Sequence, residues 1–353
     1  MLIFNELLLL KQDQNRIKYI TFAFYMEFLL FFCLFIVGMA SIIKGADWLT
    51  EGAANVADRM GVPTMVVGMT IVAIGSSAPE FVVSMVAALQ GNSDIALGNI
   101  VGSNIFNILG IMGVTAIVRP LLATRANVRN DVPFVMLSSV VIAVTAFDSF
   151  FTPGAKDGIS RTDGLLMLAM FAIFISYTLA LAKKPESTED VPVVTEASSS
   201  RKSVLKDVAF IIVGLTLLVL GGDWLVDGAS RMASLMHISD AIIALTIVSA
   251  GTSAPEMAAS VMAARKGDTA MALGNIVGSV AFNVFFVLGS AATVHPIGVG
   301  GITPFDIITL LTASLVLWVL CRFGKHRLTL TRSEGWVLVL MAVAYYVYRV
   351  VAL

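Results

Sequence analysis

Long apolar runs separated by short polar stretches dominate the chain, and ten of them are long enough to cross a bilayer as helices. A hydrocarbon core about 30 Å thick needs roughly 20 apolar residues in helix. The pattern predicts spans at 22–43, 62–90, 93–118, 132–151, 164–182, 207–230, 238–264, 269–294, 302–321 and 335–353. One extended polar stretch interrupts them, at 183–206, and its Pro, Ser and charge content reads as a linker. It separates two five-helix halves, 26–182 and 207–353. Residues 1–25 read as an N-terminal extension, with Met26 available as the native start. Their apolar run comes first and no small-residue cleavage site follows, which is unlike a cleavable leader.

Composition agrees with the pattern: the 353 residues are 58% hydrophobic and 13% charged, with a mean hydropathy of +0.89 and a net charge of −1. Soluble domains are about 45–50% apolar and about 25% charged, so a soluble fold is excluded. No basic excess points to nucleic acid. Cys33 and Cys321 both lie in apolar stretches, so no disulfide framework is indicated. Sorting the 23 Lys and Arg onto the two sides puts 16 on the side of the linker, which the positive-inside rule assigns to the cytoplasm with both termini outside. Each half then has an odd number of spans, and the halves run in opposite directions.

A shift of 176 residues, the interval from Glu80 to Glu256, aligns the halves without a gap from Asp47/Asp223 to Pro120/Pro296. GADWLTEGA at 45–53 faces GGDWLVDGA at 221–229, and ALGNIVGSNIFN at 96–107 faces ALGNIVGSVAFN at 272–283. Over 68–107 the copies share 22 of 40 residues, polar ones included, so shared hydrophobicity alone does not account for the match. The expected fold class is an all-α polytopic membrane protein of ten helices in two inverted repeats. Such repeats place a binding site at the midplane, on broken helices.

Each copy carries Gly-Ser/Thr-Ser-Ala-Pro-Glu within a long apolar span, at 75–80 and 251–256. Proline removes a backbone donor and glycine relaxes the chain, so the second and seventh helices should break there. The carbonyls of Ala73 and Ser249 are expected to be freed. Together with Ser77, Ser253, Thr252 and a carboxylate they form an all-oxygen set of the kind hard cations prefer. Glu80 and Glu256 fall nearest the midplane, where a charge costs at least about 2.5–3.5 kcal/mol and no Lys or Arg is placed to pair with it. On the next spans, Ser103 with Asn107 and Ser279 with Asn283 are four apart and share a helix face. The glycine pairs Gly98/Gly102 and Gly274/Gly278 are expected to let these helices approach a neighbour closely, so that the amides and hydroxyls reach the glutamates.

The paired GSSAPE/GTSAPE and GSNIFN/GSVAFN motifs, with their spacing, closely resemble the cation/calcium antiporters, and among them the prokaryotic type of sodium/calcium exchanger. The resemblance covers essentially the whole chain after Met26. It implies alternating-access exchange of Na⁺ for Ca²⁺ in a prokaryotic inner membrane. It implies no cofactor beyond the transported ions, no enzymatic activity and no obligatory protein partner, with the bilayer as surroundings. Carried over by position, Glu80 and Glu256 hold Ca²⁺ and share in Na⁺ binding. Ser76, Ser77, Thr252, Ser253, Ser103 and Ser279, with the Ala73 and Ser249 carbonyls, complete the Na⁺ sites, and Asn107 and Asn283 line the middle. Some relatives have Asp where this chain has Asn283, a feature tied to K⁺ dependence. Asn283 therefore implies K⁺ independence and a site charge of −2, which three Na⁺ would take to +1.

Other readings compete. A buried Glu can carry a proton, which gives an H⁺/Ca²⁺ antiporter as the alternative. An intramembrane hydrolase would need a nucleophile–base pair or a metal triad at depth, and neither is present in the sequence. An uncoupled channel does not use the repeat. A Glu beside Pro can also serve as a helix-start charge, Asn as interhelical glue, and Ser as a partner for backbone at a break. Asp47, Asp223, Trp48 and Trp224 are expected at span ends as interfacial anchors. Ser239-Asp240 reads as an N-cap, and Asp306 is expected near the first turn of its span.

Overall fold

In the computed structural model the described residues are 2–125, 127–151, 154, 156–182, 204–236, 249–324 and 328–352. The protein is a helical membrane protein. Among the described residues eight helices are long and apolar enough to span a bilayer, and a bent pair makes a ninth. These are α1 (Leu2–Met60), the bent pair α2 (Thr64–Ser76) and α3 (Ala78–Leu89), α4 (Ser93–Val118), α5 (Asn127–Ala146) and α6 (Arg161–Ala182). Then follow α7 (Val204–Leu235), the short α8 (Ser249–Thr252), α9 (Ala254–Lys266), α10 (Thr269–Val294), α11 (Pro304–Phe323) and α12 (Arg332–Ala352). The expected 238–264 span is described only from Ser249, and Ser239-Asp240 and most of the linker lie outside the described residues. The linker's last three expected residues already belong to α7, which starts at Val204.

The centre is built from α4 and α10, whose most apolar stretches are 78% and 94% buried, against 11% for α1. α2 lies against α10 nearly backbone to backbone. A Cβ on Gly68 would stand 2.5 Å from the Met271 carbonyl, and one on Gly278 would stand 2.7 Å from the Met69 backbone. Gly274 packs on the Met65 carbonyl in the same seam. Among the described residues a Cβ on Gly98, the counterpart of Gly274, would meet nothing within 4 Å, and residues 240–248, which the repeat aligns with 64–72 of α2, lie outside the described residues. Gly91 and Gly267, at φ +70° and +98°, terminate α3 and α9 in the left-handed conformation that glycine adopts without a Cβ clash.

Around this core, α1 and α7 pair through glycines seven residues apart. Gly38 faces Gly221, Gly45 faces Gly214, and Gly52 meets the Asp207 carbonyl. At one end Asp207, buried, accepts from Arg59 Nε at 2.8 Å and Asn55 Nδ2 at 2.9 Å. Asp47 is not at a helix end, as the sequence suggested. Gly52 alone does not interrupt the helix, so α1 runs on to Met60, and Asp47 pairs with Lys44 at 3.0 Å and with Lys266 of α9 at 2.7 Å. Trp48 stacks on Phe210 rather than anchoring a terminus, and Asp223 lies inside α7. Asp306 holds the expected first-turn place, in a capping box with Thr303.

Two-residue antiparallel strands tie the periphery, Leu121–Leu122 to Thr329–Leu330 and Gly158–Ile159 to Ile297–Gly298. Each pair joins a segment of the first half to one of the second.

Candidate ion-binding site

The helix break falls where glycine and proline place it. α2 ends at Ser76, α3 begins at Ala78, and the two are bent by 48°. Ser77 sits at the N-cap of α3 and Ser253 at the N-cap of α9, yet neither hydroxyl caps its own helix. Each crosses to the other half instead. Ser77 Oγ donates to Glu256 Oε1 at 2.7 Å, and Ser253 Oγ donates to Glu80 Oε1 at 3.1 Å. All four residues are fully buried. The two motifs that the 176-residue shift aligned therefore meet in space, through reciprocal bonds.

Both carboxylates keep a second oxygen without a protein partner. Among the buried side-chain atoms of the described residues that lack a hydrogen-bond partner, seven belong to the candidate residues. They are Oε2 of Glu80 and of Glu256, the hydroxyls of Ser103 and Ser279, both amide atoms of Asn107, and Oδ1 of Asn283. Buried polar groups are ordinarily satisfied, because leaving one bare costs about 1–3 kcal/mol and more for a charge. Seven such atoms in one predicted constellation fit a cation-binding set. Six of the seven are oxygens, the chemistry Na⁺ and Ca²⁺ take. No three Asp, Glu, His or Cys side chains cluster among the described residues. Any cation held here is held by two carboxylates and neutral oxygens.

The neighbouring helices are irregular at the same depth. π-helical turns begin at Phe106 in α4 and at Phe282 in α10, each one residue before the central asparagine. Such turns recur at functional sites, since the wider ring leaves main-chain and side-chain groups less tightly committed. Phe81 of α3 stacks on Phe286 of α10 with ring centroids 5.6 Å apart, which closes the packing beside the first carboxylate.

Three expectations change. The break does not free the Ala73 carbonyl, which still accepts from Ser77 N–H at 3.0 Å, because proline removes only its own donor two residues further on. Ser76 turns its hydroxyl to Asn275 Oδ1 at 3.4 Å. The side chains that reach the glutamate segments are not the serine–asparagine pairs but Asn99 and Asn275. Asn99 Nδ2 donates to the Glu80 carbonyl at 3.3 Å and to Ser84 Oγ at 2.9 Å. Asn275 Nδ2 donates to the Glu256 carbonyl at 3.2 Å and to Ser260 Oγ at 2.8 Å. Their identical place in the repeated ALGN was the available signal. Thr252 is buried beside Ser253, and Ser249 begins α8 at the edge of the described residues.

Broken helices carrying opposed carboxylates define a helical membrane protein with a buried, oxygen-rich candidate site for a cation. The family model described as "Sodium/calcium exchanger protein" matches residues 30–180 and 206–351. The chain belongs to this family, whose members are transporters and not enzymes, and it is a cation/Ca²⁺ antiporter. It is similar to CaxA of Alkalimonas amylolytica, at 35% identity over 88% of this chain and 95% of that one. It is also similar to the sodium/calcium exchanger MaX1 of Methanosarcina acetivorans, at 29% over 90% and 97%. Among solved structures, the sodium-calcium exchanger NCX_Mj soaked with 10 mM Na⁺ and zero Ca²⁺ superposes with a TM-score of 0.76, at 26% identity, over 92% of this chain and 99% of that one.

Proposed function

We propose that the protein exchanges Na⁺ for Ca²⁺ by alternating access, independently of K⁺. The observation that carries this reading is the crossed pair Ser77–Glu256 and Ser253–Glu80, each glutamate keeping one bare oxygen among bare hydroxyls and amides. Glu80 and Glu256 supply a charge of −2, enough to neutralise one Ca²⁺. Asn107 and Asn283 add neutral oxygen. Ser76, Ser77, Thr252, Ser253, Ser103 and Ser279, with the Ser249 carbonyl and the second lone pair of the Ala73 carbonyl, supply the further oxygens that several Na⁺ need. Three Na⁺ against one Ca²⁺ makes the cycle electrogenic. The printed names of MaX1 and of the superposing structure, both sodium/calcium exchangers, support Na⁺ as the coupling ion.

The proposed architecture is ten spans in two inverted five-helix repeats, 26–182 and 207–353, joined by a cytoplasmic linker at 183–206 with both termini outside. The register of hydrogen bonds supports the repeat: the bonds from Asn99 recur 176 positions on from Asn275, to equivalent partners. A location in the inner membrane is supported by YrbG of Escherichia coli, named an inner membrane protein and 34% identical over 82% of this chain.

The test is Ca²⁺ flux in proteoliposomes. Na⁺-loaded vesicles take up radioactive Ca²⁺ when external Na⁺ is removed, with or without K⁺. Uptake that ignores Na⁺ and follows an imposed pH gradient overturns Na⁺ coupling in favour of proton coupling. Glu80→Gln and Glu256→Gln each abolish flux while the protein still inserts, and wild-type flux in either removes the carboxylate assignment.

A further inference from the structure

Among the positions beside the site where the copies differ, one pair exchanges a polar for an apolar residue, Asn104 in the first and Val280 in the second. Asn104 lies fully buried on α4, and both ends of its amide engage α10. Its Nδ2 donates to the Val280 carbonyl at 3.4 Å, and its Oδ1 accepts from Asn283 Nδ2 at 3.2 Å. A backbone carbonyl only accepts, so Val280 fixes which way the Asn104 amide lies. The oxygen of Asn104 then faces Asn283 and takes its nitrogen. Asn283 is left with Oδ1 turned the other way, and that oxygen has no protein partner. Asn107 stands differently: neither atom of its amide has a hydrogen-bond partner among the described residues, and the residue that would tether it by symmetry is the apolar Val280.

We infer that Asn104 is a positioning residue that holds Asn283 as a fixed oxygen ligand, while Asn107 turns freely. The inference rests on the proposal that Asn283 lines the cation site. A cation binds the amide oxygen and is repelled by the NH₂. An amide locked with its oxygen inward binds without first being turned, and a free one does not. The site is therefore asymmetric within a symmetric frame, with a preset carbonyl from α10 and an adaptable amide from α4.

Asn104→Leu, nearly the same in shape, removes both tethers. It is expected to raise the KM for Ca²⁺ about tenfold in Na⁺-driven uptake, the lower end of what losing a ligand-orienting partner costs. Vmax changes little, while melting falls by what one bare buried amide nitrogen, that of Asn283, costs. Adding Val280→Asn to Asn104→Leu supplies a tether to Asn107 instead and recovers most of the affinity. A role in packing alone lowers Vmax and stability together and leaves KM in place, and that result overturns the inference. Should Asn104→Leu fail to insert, Asn104→Ser, too short to bridge α10, gives the same KM test. Asn283→Leu separates the two levels. Wild-type KM in Asn283→Leu overturns the site reading, whereas raised KM in Asn283→Leu with unchanged KM in Asn104→Leu overturns the positioning role alone.

Discussion

Replacing Ser77 with Ala tests the crossed pair directly, because little else depends on that hydroxyl. An N-cap serine usually stabilises its helix by about 0.5–2 kcal/mol through a bond to the first turn, but Ser77 makes no such bond and spends its proton on Glu256 at 2.7 Å. The substitution therefore removes one bond to a carboxylate and leaves α3 capped as before. A hydrogen bond to an ionised group is worth about 1.5–3 kcal/mol, against about 0.5–1.5 for a neutral one. Cation binding requires the ionised carboxylate, so the excess of roughly 1–1.5 kcal/mol is what affinity loses. At about 1.4 kcal/mol per factor of ten, the KM for Ca²⁺ should rise about five- to tenfold. Ser253→Ala breaks the longer bond, 3.1 Å to Glu80, and should cost less. The assay is initial Ca²⁺ uptake into Na⁺-loaded proteoliposomes against external Ca²⁺, normalised to inserted protein, with melting in detergent alongside. An unchanged KM refutes the reasoning. So does a fall in Vmax that tracks a fall in melting temperature, since the serine would then be structural.

Gly214→Ala places a methyl 2.7 Å from the Leu49 nitrogen and 2.8 Å from the Gly45 carbonyl, so it should destabilise by about 1–3 kcal/mol. Unchanged melting of Gly214→Ala contradicts the α1–α7 seam. Asp268, the N-cap of α10, accepts from Met271 N–H and Thr64 Oγ1, and burial holds its carboxyl above the ordinary 3.8. A raised acid binds its proton more tightly in the folded state. The stability this group contributes is thus full below 3.8, declines as pH rises from there through the raised value, and is flat above. Asp268→Asn should abolish that decline in a pH series of melting curves. Thr64→Val, which removes a donor to the carboxylate, should extend the decline to higher pH, and a parallel shift of all three curves would contradict the assignment.

Much of the site was legible because identical polar residues stood in register within apolar spans. Ser77, Ser253, Glu80 and Glu256 could be named from two copies of one hexapeptide, and the break followed from proline and glycine chemistry. What escaped was wiring between elements. Asn99 and Asn275 were visible as repeated letters, but nothing local says that an asparagine reaches the carbonyl of a glutamate 19 positions earlier on another helix. The run of α1 past residue 43 was hidden because GADWLTEGA reads as a polar border, while its charges are satisfied by Lys44 and by Lys266 more than 200 positions away.

The crossed bonds also constrain how such a protein can move. Each carboxylate is held by a hydroxyl from the other half, and Asn104 bridges α4 to α10 directly. Shifting one half of the core against the other would break all of these buried polar links at once, together with Ser76–Asn275 and Ser139–Ser314. The α1–α7 pair differs in kind. Its seam is glycine against backbone, van der Waals contact whose loss leaves no buried donor bare. Its polar ties sit near one end at Asp207, and at Asp47 on a partly exposed face toward α9. Contact of that kind can be remade at a new register more cheaply than a buried hydrogen-bond network can be broken and re-formed. The alternating access proposed above is therefore better borne by α1 and α7 moving over an intact core than by the core opening between its halves.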